Sequence, residues 1–294
     1  MTVLASLLAL SALPFSSLAP ASAGSLRAAE QSVARIGHQL AMANLPLCKA
    51  EGRTGSWSGF LAESLAAFDL RSRERIADQD GLGPQPVITF VIKGSAADRA
   101  GLRVGDVIEA VDDAVFPTRL PAQGSYSTQA RLEAAAAKVE ALYGIRRGET
   151  RLAMIVRHSP GCRSTLTVRN TARLNGRSDG HYAQINAGIV RLAGNDAELA
   201  FFVGHEMAHN ILGHADWLDK VGRKTSNIRQ TEIAADRFAL RLMKGAGYDP
   251  ASAAIFWQRI DRKAMPGLFS DGTHMADKKR IRFLADEARR LNAQ

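Results

Sequence analysis

Residues Leu199 to Gly213 read LAFFVGHEMAHNILG. The apolar residues Phe201, Phe202, Val203, Met207, Ile211 and Leu212 point in every direction around a helix, the mark of a helix buried on all sides. Its ionisable residues are His205, Glu206 and His209, and burying them without partners costs several kcal/mol. Something must compensate them, and a metal ion does so directly. His205 and His209, four apart, project from one face within reach of a single ion. Glu206 stands about 100° round the helix, placed to act on water rather than to ligate. Asn195 and Glu198 form a capping-box-like pair just before the apolar run.

The spacing is HExxH, the pattern of zinc peptidases. The plain alternative is two core histidines with ordinary hydrogen bonds. Catalytic zinc keeps three protein ligands and one open position, so a third ligand is sought downstream. His214 is nearest, but Gly213 and His214 fall out of register with the long metzincin pattern. His214 is therefore expected at the surface, at a helix end where a cation suits the dipole. The better candidate lies in Thr231 to Asp236, TEIAAD, on a helix running to Met243 and stopped by Gly245 and Gly247. Glu232 and Asp236 share a face. One carboxylate can ligate while the other orients a ligand histidine by accepting its second N–H. Alone, this helix reads equally well as an exposed acidic edge paired with Arg229 or Arg237.

Four motifs occur together: NDAELA at 195–200, HEMAH at 205–209, EIAAD at 232–236 and Gly272-Thr273-His274. Their order resembles the HtpX-like gluzincin peptidases, the group of the CAAX-prenyl endopeptidases, and within it the soluble, exported BepA-like branch. The resemblance covers roughly residues 165–294. It implies zinc, one ion per chain, held by His205, His209 and Glu232, with Glu206 as general base and Asp236 behind the ligands. It also implies a place for His274 near the cleft, although Met275 stands where the family has proline. Tyr182 to Val190 corresponds to a strand that resembles a sheet edge along which substrate lies.

The string GSAADRAGLRVGDVI at 94–108 resembles the core of bacterial PDZ domains. Ser95 reads as an N-cap and Gly101 as the left-handed residue that ends a short helix. Val87 to Ile92, Val107 to Val111 and Arg151 to Val156 read as strands, and Ser127 to Tyr143 as a helix stopped by Gly144. Gly81, Leu82 and Gly83 sit where that family cradles a peptide carboxylate, in shortened form. The module reads equally as a peptide binder, which adds a strand to a sheet edge, or as a spacer.

Towards the N-terminus, Val3 to Leu13 is an apolar run of signal-peptide length, followed by Ala21-Ser22-Ala23 as a cleavage site. Export to the periplasm or beyond is expected, with an uncleaved anchor as the alternative. Leu26, Ala29, Val33, Ile36 and Leu40 mark one helix face, and Phe60 to Ile76 suggests a second helix. Cys48 and Cys162 are the two cysteines; in an exported protein they are expected to pair, and the alternative is two buried thiols.

The chain has 294 residues, 46% hydrophobic and 23% charged, which excludes disordered, collagen-like and coiled-coil classes. The net charge of +9 is spread along the chain. No basic block argues for nucleic acid, and no later stretch is long enough to span a bilayer. The expected fold class is α+β: a mainly helical zincin-type metallopeptidase domain with a small edge sheet, a small β-rich PDZ-like domain and N-terminal helices. The expected divisions are a signal peptide at 1–23, a helical segment at 24–77, the PDZ-like domain at 78–160 and the peptidase domain at 161–294. The expected function is zinc-dependent cleavage of unfolded or misassembled exported proteins. The competing reading is a non-proteolytic PDZ adaptor or chaperone with a structural zinc; a weaker third is a zinc hydrolase acting on non-protein amides.

Overall fold

The computed structural model describes residues 23–121, 127–259 and 277–293. His274 and all but the last residue of the expected signal segment lie outside them. Helix α1 (Ala23–Ala43) buries Ala29, Val33, Ile36 and Leu40 on one face, as their spacing predicts. At its end the Asn44 amide donates to the carbonyls of Leu40 and Leu242, tying α1 to a helix some two hundred residues on. Helix α2 (Leu45–Ala50) carries Cys48, which is bonded to Cys162.

Strand β1 (Thr54–Trp57) pairs antiparallel with β8 (Ser159–Cys162), with Thr54 opposite Cys162 and Trp57 opposite Ser159. The chain between them is thus an insertion whose two ends are stapled together by a strand pair and, beside it, a disulfide. Within it lie β2 (Phe60–Glu63), a 3-10 turn (Leu65–Ala67), α3 (Leu70–Asp80), β3 (Val87–Val91), α4 (Ala96–Arg99), β4 (Val107–Val111) and β5 (Ala114–Val115). Then come α5 (Ser127–Ala136), β6 (Glu140–Arg147) and β7 (Thr150–Arg157). One sheet runs β2-β3-β4-β6-β7, with β5 against β4. It closes over its own core of Ile88, Ile108, Phe116, Tyr143, Ile145 and Val156.

Two sequence expectations fail in this insertion. Phe60 to Ile76 is not one helix: its first four residues pair with β3, and α3 starts only at Leu70. Asp69 sets that start, accepting from the backbone N–H groups of Arg71 and Ser72. The six-stranded sheet therefore begins at residue 60, within the expected helical segment 24–77, and not near residue 78. Likewise the helix expected over Ser127 to Tyr143 ends at Ala136. Ala141, Tyr143 and Ile145 are buried with period two, and Gly144 lies inside a strand. Short apolar runs fit helix and strand alike, and sheet pairing chose between them.

The last part of the chain opens with β9 (Thr165–Arg169), β10 (Gly176–Ser178) and β11 (Tyr182–Asn186), in the order β10-β11-β9. Helices α6 (Ala187–Leu192), α7 (Asp196–Ile211), α8 (His214–Val221), α9 (Thr225–Gly245), α10 (Ala251–Arg259) and α11 (Asp277–Asn292) follow. Tyr182 to Val190 is thus half strand and half helix, and its strand lies in the middle of the sheet; the edge nearest α7 is β10. A second core, with Phe201, Met207, Phe238, Leu240, Phe256 and Leu284, surrounds α7. No helix among the described residues is long and apolar enough to cross a membrane.

Candidate metal centre

Helix α7 starts where its cap dictates. Asn195 Oδ1 accepts from the Glu198 N–H at 2.9 Å, while Glu198 Oε2 accepts from the N–H of Gly194 at 2.8 Å. This is the capping exchange displaced by one residue. Arg259 pairs with the same Glu198 carboxylate. From that start, thirteen of the sixteen residues of α7 are buried, His205 and Glu206 among them, so the ionisable groups sit in the core as the apolar sequence requires.

Helix α9 packs across α7 and brings Glu232 to the two histidines. His205 Nε2 lies 3.2 Å from His209 Nε2 and 3.2 Å from Glu232 Oε2; His209 Nε2 lies 3.6 Å from Glu232 Oε1. Among the described residues this is the one group of His, Cys, Asp or Glu whose ligand atoms converge, all within 4.8 Å of one another. Two nitrogens bound tetrahedrally at about 2.0–2.1 Å from an ion stand about 3.3 Å apart, so the spacing fits zinc. The donor chemistry fits as well: two imidazoles and one carboxylate.

The electrostatics favour a cation there. Burial works against charge on His205, but Asp236 and Glu232 outweigh it and push the ring up to about 10. Asp236 Oδ1 stands 3.0 Å from His205 Nδ1, on the side away from Glu232. Arg280 on α11 grips the same carboxylate through Nε at 2.9 Å and Nη2 at 2.6 Å. Burial alone would raise Asp236; Arg280 and His205 hold it below the usual carboxylate range. The Arg280 guanidinium also stacks 4.5 Å over the Trp257 ring.

His214 departs from expectation. It is buried, with Nδ1 3.0 Å from Nδ1 of His209. Burial, then the neighbouring His209 and His205, pushes its ring down to about 3. A surface cation at a helix end it is not.

Glu206 is buried on the neighbouring flank. Ser178 Oγ on β10 lies 2.5 Å from its Oε2 and 2.9 Å from its main-chain carbonyl, so the single hydroxyl proton is directed to Glu206 either way. A Cβ at Gly176 would overlap the Glu206 carboxylate. Glycine is needed there for β10 to approach. Asn210 locks the β10–β11 turn to α7, accepting from the Gly180 N–H and donating to Ser164 Oγ and the His181 carbonyl. Ser178 and Arg280 carried no signal in the sequence, because neither lies in a motif and each arrives from a separate element, β10 and α11. Asn210 follows the HEMAH motif directly, but only the folded chain shows what it binds.

Gly81, Leu82 and Gly83 do not form an open cradle. Gly81 ends α3 in the left-handed conformation, its N–H donating to Ala77; Leu82 is buried against Leu65 and Ile76; the Gly83 carbonyl accepts from Leu65. The edges of this sheet are β2 and β7. Between the two parts of the chain, Tyr182 on β11 donates to Glu133 on α5 at 2.7 Å.

Residues 87–122 match the PDZ domain family, and the chain contains a PDZ domain. Among solved structures, the HtrA3 PDZ domain bound to a phage-derived ligand (FGRWV) aligns at 15% identity over 36% of this chain and 88% of that one, with a TM-score of 0.27. An HtrA-type protease, AlgW, with a decapeptide aligns at 18% identity over 42% of this chain, with a TM-score of 0.26; the match spans 34% of that protein's chain. No curated protein matches this chain.

Proposed function

We propose that this chain is a zinc-dependent endopeptidase of the HExxH, gluzincin type. One observation carries the reading: His205, His209 and Glu232 converge with the spacing of a tetrahedral ligand set, and a buried carboxylate that ligates nothing, Glu206, stands beside them. A structural site has no need of that extra carboxylate.

Zinc held by these three side chains would supply Lewis acidity for a scissile carbonyl and make water acidic near neutral pH. Glu206 takes the proton of the attacking water and later delivers it to the leaving amine. Ser178 donates to Oε2 and so holds the Glu206 carboxylate in place on the flank beside the two histidines. Asp236 holds His205 by Nδ1, so that Nε2 faces His209 and Glu232, where an ion would be held. An extended substrate segment has β10, the sheet edge beside Glu206, as its template. That favours unfolded or misassembled polypeptides over folded ones. An exported location agrees with the bonded cysteines and the apolar N-terminal run.

The PDZ domain favours a second reading, an adaptor that captures peptide ends along the β2 edge and whose zinc is structural. Turnover separates the two. The purified chain is expected to carry one equivalent of zinc and to digest denatured casein. A chelator should stop digestion, and Glu206→Gln should abolish it with zinc content and fold retained. Zinc uptake without any cleavage supports the adaptor; a fully active Gln variant refutes the peptidase.

A further inference from the structure

On the zinc reading just proposed, the ligand histidines are held from behind in two different ways. Asp236 takes Nδ1 of His205. The corresponding nitrogen of His209 meets another imidazole, that of His214, at 3.0 Å, with the rings 4.9 Å apart between centroids and 80° between planes. His209 Nε2 meanwhile faces His205 and Glu232.

Two nitrogens at this distance share one proton. For His209 to offer the Nε2 lone pair to a cation as a neutral ring, its proton must sit on Nδ1. His209 then donates, His214 Nδ1 accepts, and His214 keeps its own proton on Nε2. We propose that His214 is a positioning residue that sets the tautomer and the ring plane of His209, the partner in function of Asp236 behind His205. Helix geometry shows the fold bending to put it there. Had α7 run on unbroken, residue 214 would stand about 140° round the axis from residue 209 and face away. Gly213, at φ +65°, breaks the helix, and α8 starts at His214 with its ring turned back onto His209.

The test uses the full chain and zinc binding, measured by competition with a chromophoric chelator. Removing a hydrogen-bond partner of a ligand histidine typically weakens metal binding on the order of 10- to 100-fold. His214→Phe, which keeps the ring bulk without the acceptor, is expected to weaken zinc in that range, and His214→Asn, whose amide oxygen can take the place of Nδ1, to recover most of it. Wild-type affinity in a folded Phe variant would overturn the assignment. Should the variants not fold, nitrogen-15 NMR of the zinc-loaded wild type decides: His214 protonated on Nε2 and His209 on Nδ1 supports the role, and the reverse arrangement overturns it. A wild-type chain that takes up no zinc would instead remove the metal reading itself.

Discussion

Arg280 and Asp236 face each other as a two-point ion pair in the core, each side chain 2% exposed. They come from α11 and α9, and the Asp236 oxygen that meets Nη2 also meets His205 Nδ1. Helix α11 thus reaches His205, one of the three converging side chains, through a single carboxylate. Arg280→Met removes one partner of a buried pair and is expected to cost about 3–5 kcal/mol. Urea unfolding in the presence of chelator measures it; a change within error would mean the pair is not structural.

Gly176→Ala places a methyl group where the Glu206 carboxylate lies. The carboxylate or β10 must move. Casein digestion is expected to fall by on the order of 10²-fold, since a misplacement near 1 Å costs that much, while zinc content and the unfolding midpoint stay near wild type. Undiminished turnover would show that Glu206 has room to shift.

The bond between Cys48 and Cys162 closes a loop of sequence separation 114 around the whole PDZ domain. In the chain-entropy account a loop of that size is stabilised by about 5 kcal/mol. Reduction, or Cys48→Ser with Cys162→Ser, should lower the denaturant midpoint accordingly. The β1–β8 pair remains as a weaker staple, so separate unfolding of the two parts, seen as a biphasic transition, is the expected signature.

Glu30 on α1 gives a pH prediction. Burial, then the neighbouring Glu63 carboxylate, pushes it up from 4.5 to about 7, with partial relief from Arg27. Between those values the folded chain binds the proton and the unfolded chain does not, so stability falls as pH rises through the window. The loss is at most about 3 kcal/mol at one pKa unit per ~1.4 kcal/mol. Glu30→Gln should stabilise the chain at pH 7.5, leave it near wild type at pH 4.5 and flatten the slope between. An unchanged slope across that range would count against the assignment.

Local pattern was sufficient for what depends on near neighbours. The helix bearing His205, Glu206 and His209, its Asn195 cap, the apolar face of α1 and the short helix from Ser95 to Gly101 all follow from spacings of a few residues, where helix periodicity and capping leave little choice. The same pattern misread Phe60 to Glu63 and Glu140 to Tyr143, because apolar runs of four or five residues suit either regular structure until a partner strand claims them.

What the amino-acid order by itself determined, then, was the set of groups that cannot be buried unaided: two imidazoles and a carboxylate on one apolar helix, with a pair of carboxylates downstream. Which groups answer them was decided only in three dimensions. Ser178, His214 and Arg280 reach Glu206, His209 and Asp236 from β10, α8 and α11, and only His214 is near its partner in sequence. The reason is physical: a hydrogen bond in the core is set by how whole helices and strands cross, and the turn at Gly213 is enough to bring to the site a ring that helix continuation would have carried away from it.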